Sequence, residues 1–367
     1  MTKRAIICGA GIGGLATGIC LSRAGWQVTI YEKDTEIRTA GAGLNLWPNG
    51  VRVLKELGLG SQYEEISCSL DYYKTYSSSG ELVSIEDLRN WRERYGAALS
   101  GVYRRDLSRL LQGALENGSI RLGHEITAVE RGDGVLCRFA NGETAEGDLL
   151  IGADGIGSVV RTSVFGPQEF SAGGLVRWRG LFNLDDVDAD PLAEVEVWGA
   201  DGHLGYLPIG NGRAYWFAAA AGMANDTDEV LAHFSKWLGS PVPGLIAATD
   251  RSTVIRSELT DFTSPLKNWS RGRVTLVGDA AHPMLPGMAQ GANQALEDVK
   301  ALGNALASCE DVEKALVSYE QVRIAEVAPV VRFSRSLFDF DDQYGLTKSD
   351  SNPLFERYDR IVERRNG

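Results

Sequence analysis

Three strand-then-turn segments and one aromatic-rich stretch predict an α/β fold: a dinucleotide-binding, Rossmann-like unit, a second domain on a mostly antiparallel β-sheet, and C-terminal helices. The first segment, Ala5-Ile6-Ile7-Cys8-Gly9-Ala10-Gly11-Ile12-Gly13-Gly14, runs from an apolar strand through Gly-x-Gly-x-x-Gly into a helix ending near residue 24. The other two, residues 149–161 and 274–283, repeat the strand and turn at Asp154-Gly155 and at Gly278-Asp279. The aromatic-rich stretch covers residues 172–262.

In the first segment Gly9 permits a tight turn, Gly11 lets backbone approach a pyrophosphate, and Gly14 allows close helix-to-strand packing. The helix start offers its unpaired amides to phosphate. Val28-Thr29-Ile30-Tyr31 then delivers Glu32, eighteen residues beyond Gly14, where a ribose-binding carboxylate belongs. Alone, this fingerprint leaves FAD, NAD and NADP open. Residues 49–58 repeat apolar positions three and four apart and end at Gly58, which predicts a helix packed on the sheet. Residues 71–97 alternate and then turn polar, which predicts strands and a mobile loop of the second domain.

A helix is expected after Tyr103, with Leu107, Leu110 and Leu111 on one stripe and Arg104 at its entrance. Between 119 and 150, Gly132-Asp133-Gly134 and Asn141-Gly142 separate short alternating runs, which predicts an antiparallel meander. The stretch 172–262 reads as strands, among them Leu175-Val176-Arg177-Trp178-Arg179, Glu194-Val195-Glu196-Val197-Trp198, His203-Leu204-Gly205-Tyr206 and Arg213-Ala214-Tyr215-Trp216-Phe217. After Asp279 the pattern is helical, with one or two amphipathic helices over 312–338. The boundaries that follow are 1–70, 98–171 and 263–310 for the dinucleotide-binding domain, 71–97 and 172–262 for the second, and 311–367 for a C-terminal helical segment.

Composition is that of a globular protein: 367 residues, 44% hydrophobic and 23% charged. A formal charge of −12, from 37 basic and 49 acidic side chains, argues against nucleic acid or an anionic membrane surface as partner. Lys3-Arg4 precede an apolar run, but five glycines through position 18 break it and no small-residue cleavage site follows, so a cytoplasmic protein is expected. Five scattered cysteines without a Cys-x-x-Cys pair suggest neither a disulfide framework nor zinc. The four histidines show no metal-ligand spacing.

With residues 290–298, which open another helix at Gln290-Gly291-Ala292-Asn293, the chain resembles the single-component FAD-dependent aromatic hydroxylases, near the salicylate, urate and hydroxypyridine types. These flavoprotein monooxygenases carry a Gly-x-Gly-x-x-Gly, an Asp-Gly and a Gly-Asp motif in this order. The resemblance implies FAD contacts from Gly9, Ala10, Gly11, Ile12, Gly13, Gly14, Glu32, Lys33, Asn45, Arg104, Val129, Asp154, Asp279, Ala289, Gln290, Gly291, Ala292 and Asn293. It further implies NADH or NADPH as transient co-substrate and oxygen transfer to an electron-rich ring through a C4a-hydroperoxyflavin. A small aromatic or N-heteroaromatic substrate and O2 are the expected partners, with a homodimer possible. Asp154 alone also fits an ordinary turn, and Arg104 a helix-start arginine bonded to a neighbouring carboxylate.

For the ring, Asn45, Arg179, Tyr206 and Pro286 are the expected substrate contacts, with His203 and Tyr215 the catalytic candidates. Arg177 and Arg179 share one strand face and would suit an anion, or lie on a solvated face. His203 begins an aromatic-flanked strand and has an ordinary pKa of about 6.5, suited to sharing a ring proton, yet a surface histidine fits equally. Tyr206 and Tyr215 could donate to a substrate oxygen or serve the core. His282 is expected to orient the flavin-side loop. The alternatives are an epoxidase acting on a larger natural product and a non-catalytic flavin-binding protein; a halogenase is disfavoured because no Trp-x-Trp occurs.

Overall fold

The computed structural model describes residues 2–37, 43–171, 175–199, 202–221, 226–238 and 241–337. Gly41, Ala42 and the part of the C-terminal segment beyond 337 lie outside the described residues.

The strand Arg4–Cys8 is apolar because it runs through the centre of a six-stranded sheet, paired in parallel with Gln27–Tyr31 on one side and Leu149–Gly152 on the other. Val274–Leu276 joins in parallel beyond Leu149–Gly152. The strands of all three glycine-containing segments therefore lie side by side, with their turns at the carboxyl ends of the strands, where ligands of open α/β sheets bind. Ile12–Arg23 packs above, buried along Leu15, Ala16 and Ile19, and Gly291–Ser308 lies against it. The expected meander is present as Ile126–Arg131, Val135–Phe139 and Thr144–Gly147.

The expected helices form at Pro48–Glu56 and Arg104–Gly113. Residues 91–95 form a short helix rather than part of a mobile loop. Its cause is Trp91, which sits 5.8 Å from Trp47 and edge-on to Tyr95, and Gly96 closes the turn in the left-handed region at φ 78°.

The second sheet has seven strands, Ile255–Glu258, Leu175–Asn183, Arg213–Ala221, Gly202–Pro208, Ala193–Gly199, Tyr72–Ser77 and Leu82–Asp87, in that spatial order. Its pairs are antiparallel except Ala193–Gly199 with Tyr72–Ser77. Two helices not expected from the sequence, Thr227–Phe234 and Val242–Ala248, help cover one face, where Trp178, Phe182, Val195, Val197, Tyr206 and Trp216 form a core. The opposite face carries Arg177, Arg179, His203, Tyr215, Phe217, Glu194 and Glu196 towards the first sheet. Val312–Ser336 is a single helix of 25 residues. No described helix is long and apolar enough to cross a membrane.

Candidate active site

These turns of the first sheet open into a cleft of about 330 Å³, lined by Gly11, Gly13, Arg104, Gly155, Asp279 and Gly291 among others. Its shape depends on the glycines. A Cβ on Gly14 would collide with the Gly9 carbonyl oxygen, and one on Gly9, at φ 106°, would collide with the Ala153 carbonyl. Apart from its chain neighbours, no protein atom lies within 4 Å of such a Cβ on Gly11, which lines the open cleft. Glu32 anchors the loop by accepting from the Ala10 amide at 2.8 Å.

Asp279 is exposed to the cleft just beyond the strand end. Desolvation by the surrounding protein pushes its pKa up, His282 and Arg104 pull it back, and Asp298 raises it again. Behind it stands a buried chain of charges: Asp298 accepts from the Gly278 amide at 2.8 Å, from His282 Nε2 at 2.6 Å and from Arg323 Nε at 2.8 Å. Gly291–Ser308 starts at the cleft, and the amides of its first turn have no intrahelical carbonyl to bond. Ala289, just before it, is held at φ 50°, an uncommon conformation for alanine that turns the chain beside the cleft.

A smaller chamber of about 30 Å³ adjoins the cleft, and Asn45, Arg177, Tyr215, Pro286 and Ala289 line both. Glu194, Glu196, His203, Trp198 and Phe217 complete much of its wall. Asn45 Nδ2 donates to Glu194 at 2.5 Å, and Trp198 Nε1 donates to Glu196 at 2.9 Å. His203 stacks on Trp198 with centroids 4.5 Å apart, and Arg177 lies 4.6 Å from the centre of the Phe217 ring.

Residues 2–334 match the family model described as FAD binding domain. The chain is 36% identical over 351 residues to a FAD-dependent urate hydroxylase of Klebsiella pneumoniae, covering 92% of this chain and 90% of that one. It is also 36% identical over 348 residues to a 3-amino-4-hydroxybenzoate 2-monooxygenase of Streptomyces platensis, covering 90% and 87%. The solved structure of Klebsiella pneumoniae HpxO complexed with FAD and uric acid superposes with a TM-score of 0.87 at 33% identity, over 100% of this chain and 93% of that one.

The chain belongs to the FAD-dependent aromatic hydroxylases.

The residues of this hydroxylase fit its cofactor. Open space at Gly11, the carboxylate of Asp279, the free amides at Gly291 and the cation of Arg104 line one cleft, as a pyrophosphate, a ribityl chain and an electron-poor ring require. Asp279→Ala should lower FAD affinity roughly tenfold or more, read as flavin content after gel filtration; full retention would remove Asp279 from the cradle.

Several expected residues are placed differently. Asp154 caps the helix Val159–Phe165, accepting from Ser158 Oγ at 2.5 Å and from the Val159 amide at 2.8 Å, so its carboxylate is engaged in its own turn. Arg161 bridges the two motifs, donating to the carbonyls of Ile156 at 2.6 Å and Ala280 at 3.0 Å. The Asn293 side chain bonds the Trp47 amide and the carbonyls of Asn45 and Ala289, and Gln290 pairs with Asn49 and Gln294, so both shape the wall through protein contacts. Val129 lies in the meander, opposite Cys137, and Lys33 is exposed.

Among the substrate residues, Tyr206 points away from the chamber: strand alternation turns it into the helix-backed core, where its hydroxyl meets the Asp190 amide at 2.9 Å. Arg179 lines the wider cleft and donates to Ser257 at 2.5 Å, leaving Arg177 as the arginine of the chamber. His203 does line the chamber, but burial, then Arg177, pushes its pKa down to about 3, so it is neutral and too weak a base for the role expected of it. Tyr215 keeps its proton, its pKa pushed up to about 12 by burial.

Glu194 and Glu196 were not singled out as site residues by their sequence. Burial raises both pKa values; each glutamate lies near Arg177, which lowers them again, and Glu194 is raised further by Glu196. A carboxyl raised in the folded state contributes most below the ordinary glutamate range, and that contribution is lost as pH rises. Glu194→Gln should therefore melt higher than the parent protein, by roughly 2 °C or more at pH 8 and by less at pH 5. An equal difference at both values would contradict the buried, titrating carboxyl.

Proposed function

We propose that this hydroxylase inserts one oxygen atom into a small, electron-rich N-heteroaromatic ring held in the chamber beside the flavin cleft. The observation that carries this is the continuity of the two spaces: Asn45, Arg177, Tyr215, Pro286 and Ala289 face both, so a ring in the chamber presents its edge to the cleft. Residues 71–97 and 172–262 act as the substrate domain in this reading.

Bound FAD supplies the acceptance of two electrons from NADH or NADPH and the activation of O2. The chain's own residues position and shield. Tyr215, protonated at neutral pH, donates its hydroxyl to a ring substituent. Asn45 fixes the ring against the chamber wall, while Phe217, Trp198 and Pro286 exclude water from the edge under attack. His203, uncharged and stacked on Trp198, offers a neutral ring face.

The test is NADH and NADPH oxidation by the FAD-loaded protein against phenols, hydroxypyridines, purines and indoles, with oxygen uptake and peroxide followed together. Stimulation by an N-heteroaromatic with little peroxide, and a product heavier by one oxygen, is the expected result. Stimulation restricted to carbocyclic phenols would overturn the substrate reading.

A further inference from the structure

Resting on that proposed function, we infer that the chamber selects a neutral or cationic ring that turns an N–H donor edge, an amino or amidine-type group, towards Glu194 and Glu196, and turns away aromatic carboxylates. The strand Ala193–Gly199 builds this wall by alternation. Val195 and Val197 enter the helix-backed core, so Glu194, Glu196 and Trp198 face the chamber. Glu194 is 4% exposed, and its side chain receives one donor, Asn45 Nδ2. Glu196 accepts from Trp198 and Tyr73, and each carboxylate when ionised has about four acceptor sites, more than these contacts use.

Asn45 adds an independent observation. The residue is 5% exposed and lines the chamber, and its Oδ1 has no hydrogen-bond partner among the described residues. A buried acceptor left unmet is unfavourable, and a donor on a bound ring removes that cost. Three side chains of one wall therefore present acceptors to the same small space.

Charge points the same way. Arg177 is the chamber's guanidinium, lying over Phe217 within electrostatic reach of both glutamates. With either glutamate ionised the two charges sum to zero within the chamber, while the Arg177 Nε has no hydrogen-bond partner among the described residues. His203 brings no positive charge, and Arg179 belongs to the wider cleft. An incoming carboxylate thus meets two carboxyls and a single guanidinium, whereas a ring N–H meets Glu194, Glu196 and Asn45.

The experiment titrates the FAD-loaded protein with two rings that differ in one group, 2-amino-3-hydroxypyridine and 3-hydroxypyridine-2-carboxylate, following the flavin spectrum and tryptophan fluorescence. The amino ring should bind roughly tenfold or more tightly than the carboxylate. Glu194→Gln and Glu196→Gln, with FAD content unchanged, should each narrow that preference about fivefold or more. Equal or tighter carboxylate binding, no measurable binding of the amino ring, or a preference that both variants leave intact would overturn the inference. A preserved preference without NAD(P)H-dependent oxygen insertion into any ring would instead overturn the catalytic reading alone.

Discussion

Asp298→Ala should be among the most destabilising single substitutions in this protein, at ~3–5 kcal/mol, because it strands a buried guanidinium. Asp298 and Arg323 are both 0% exposed and 2.8 Å apart. Arg323 would keep only neutral acceptors inside the core, the carbonyl and side-chain oxygens of Gln294, besides Glu326 at its edge. The Gly278 amide and His282 would lose their acceptor in the same step, loosening the turn that presents Asp279 to the cleft. Burial tends to raise the Asp298 pKa, but His282, Arg323 and its hydrogen bonds outweigh it and hold the group below the ordinary value. A depressed carboxyl contributes its stability above the unfolded pKa and loses it as pH falls below about 4. Urea unfolding should show a large gap between parent and variant at pH 7 that shrinks in acid, together with reduced flavin content. Matching midpoints at pH 7 would contradict the role given to this chain of charges.

Gly11→Val should separate folding from cofactor binding. Apart from its chain neighbours no protein atom lies within 4 Å of a Cβ at Gly11, so the side chain starts into the open cleft. The apoprotein should melt within roughly 2 °C of the parent, while FAD affinity falls by about a hundredfold or more, read by flavin fluorescence on titration. Gly14→Val provides the contrast, since its Cβ meets the Gly9 carbonyl oxygen and must disturb the protein itself. Undiminished FAD binding by the Gly11 variant would move the pyrophosphate away from this loop.

The dinucleotide unit was legible because its signals are local. Gly9, Gly11, Gly14 and Glu32 lie within one strand-helix-strand unit, where short-range sterics dictate residue type. The substrate wall was harder to read because its residues depend on what covers the second sheet. Glu-Val-Glu-Val-Trp over 194–198 has the alternation of a strand with one apolar and one solvated face. Here both faces are covered, so the glutamates are enclosed with Arg177 and Asn45. The same alternation separates Tyr206 from Tyr215: neighbouring strands pair Tyr206 with Trp216 and Leu207 with Tyr215, so the two tyrosines take opposite faces. That register is fixed by the short turn joining the two strands and cannot be read from either strand alone.

His203 shows a further limit. Its position beside the site was legible, whereas its protonation follows from Arg177 and the enclosure around it, contributed by distant parts of the chain. Residues 227–234 and 242–248 likewise form helices whose apolar side chains, Val230, Leu231, Phe234 and Leu245, complete the core behind the sheet.

The central claim, a flavin cleft feeding oxygen to a ring in the adjoining chamber, is tested most directly by turnover of an amino-substituted hydroxypyridine under isotopically labelled dioxygen. The account predicts one labelled oxygen atom per product molecule, consumption of one NADH or NADPH, and loss of label transfer when the chamber is filled by a bulky substitution at Phe217 while FAD remains bound. Product oxygen drawn from water, or NAD(P)H oxidation that yields only peroxide with every ring, would contradict it.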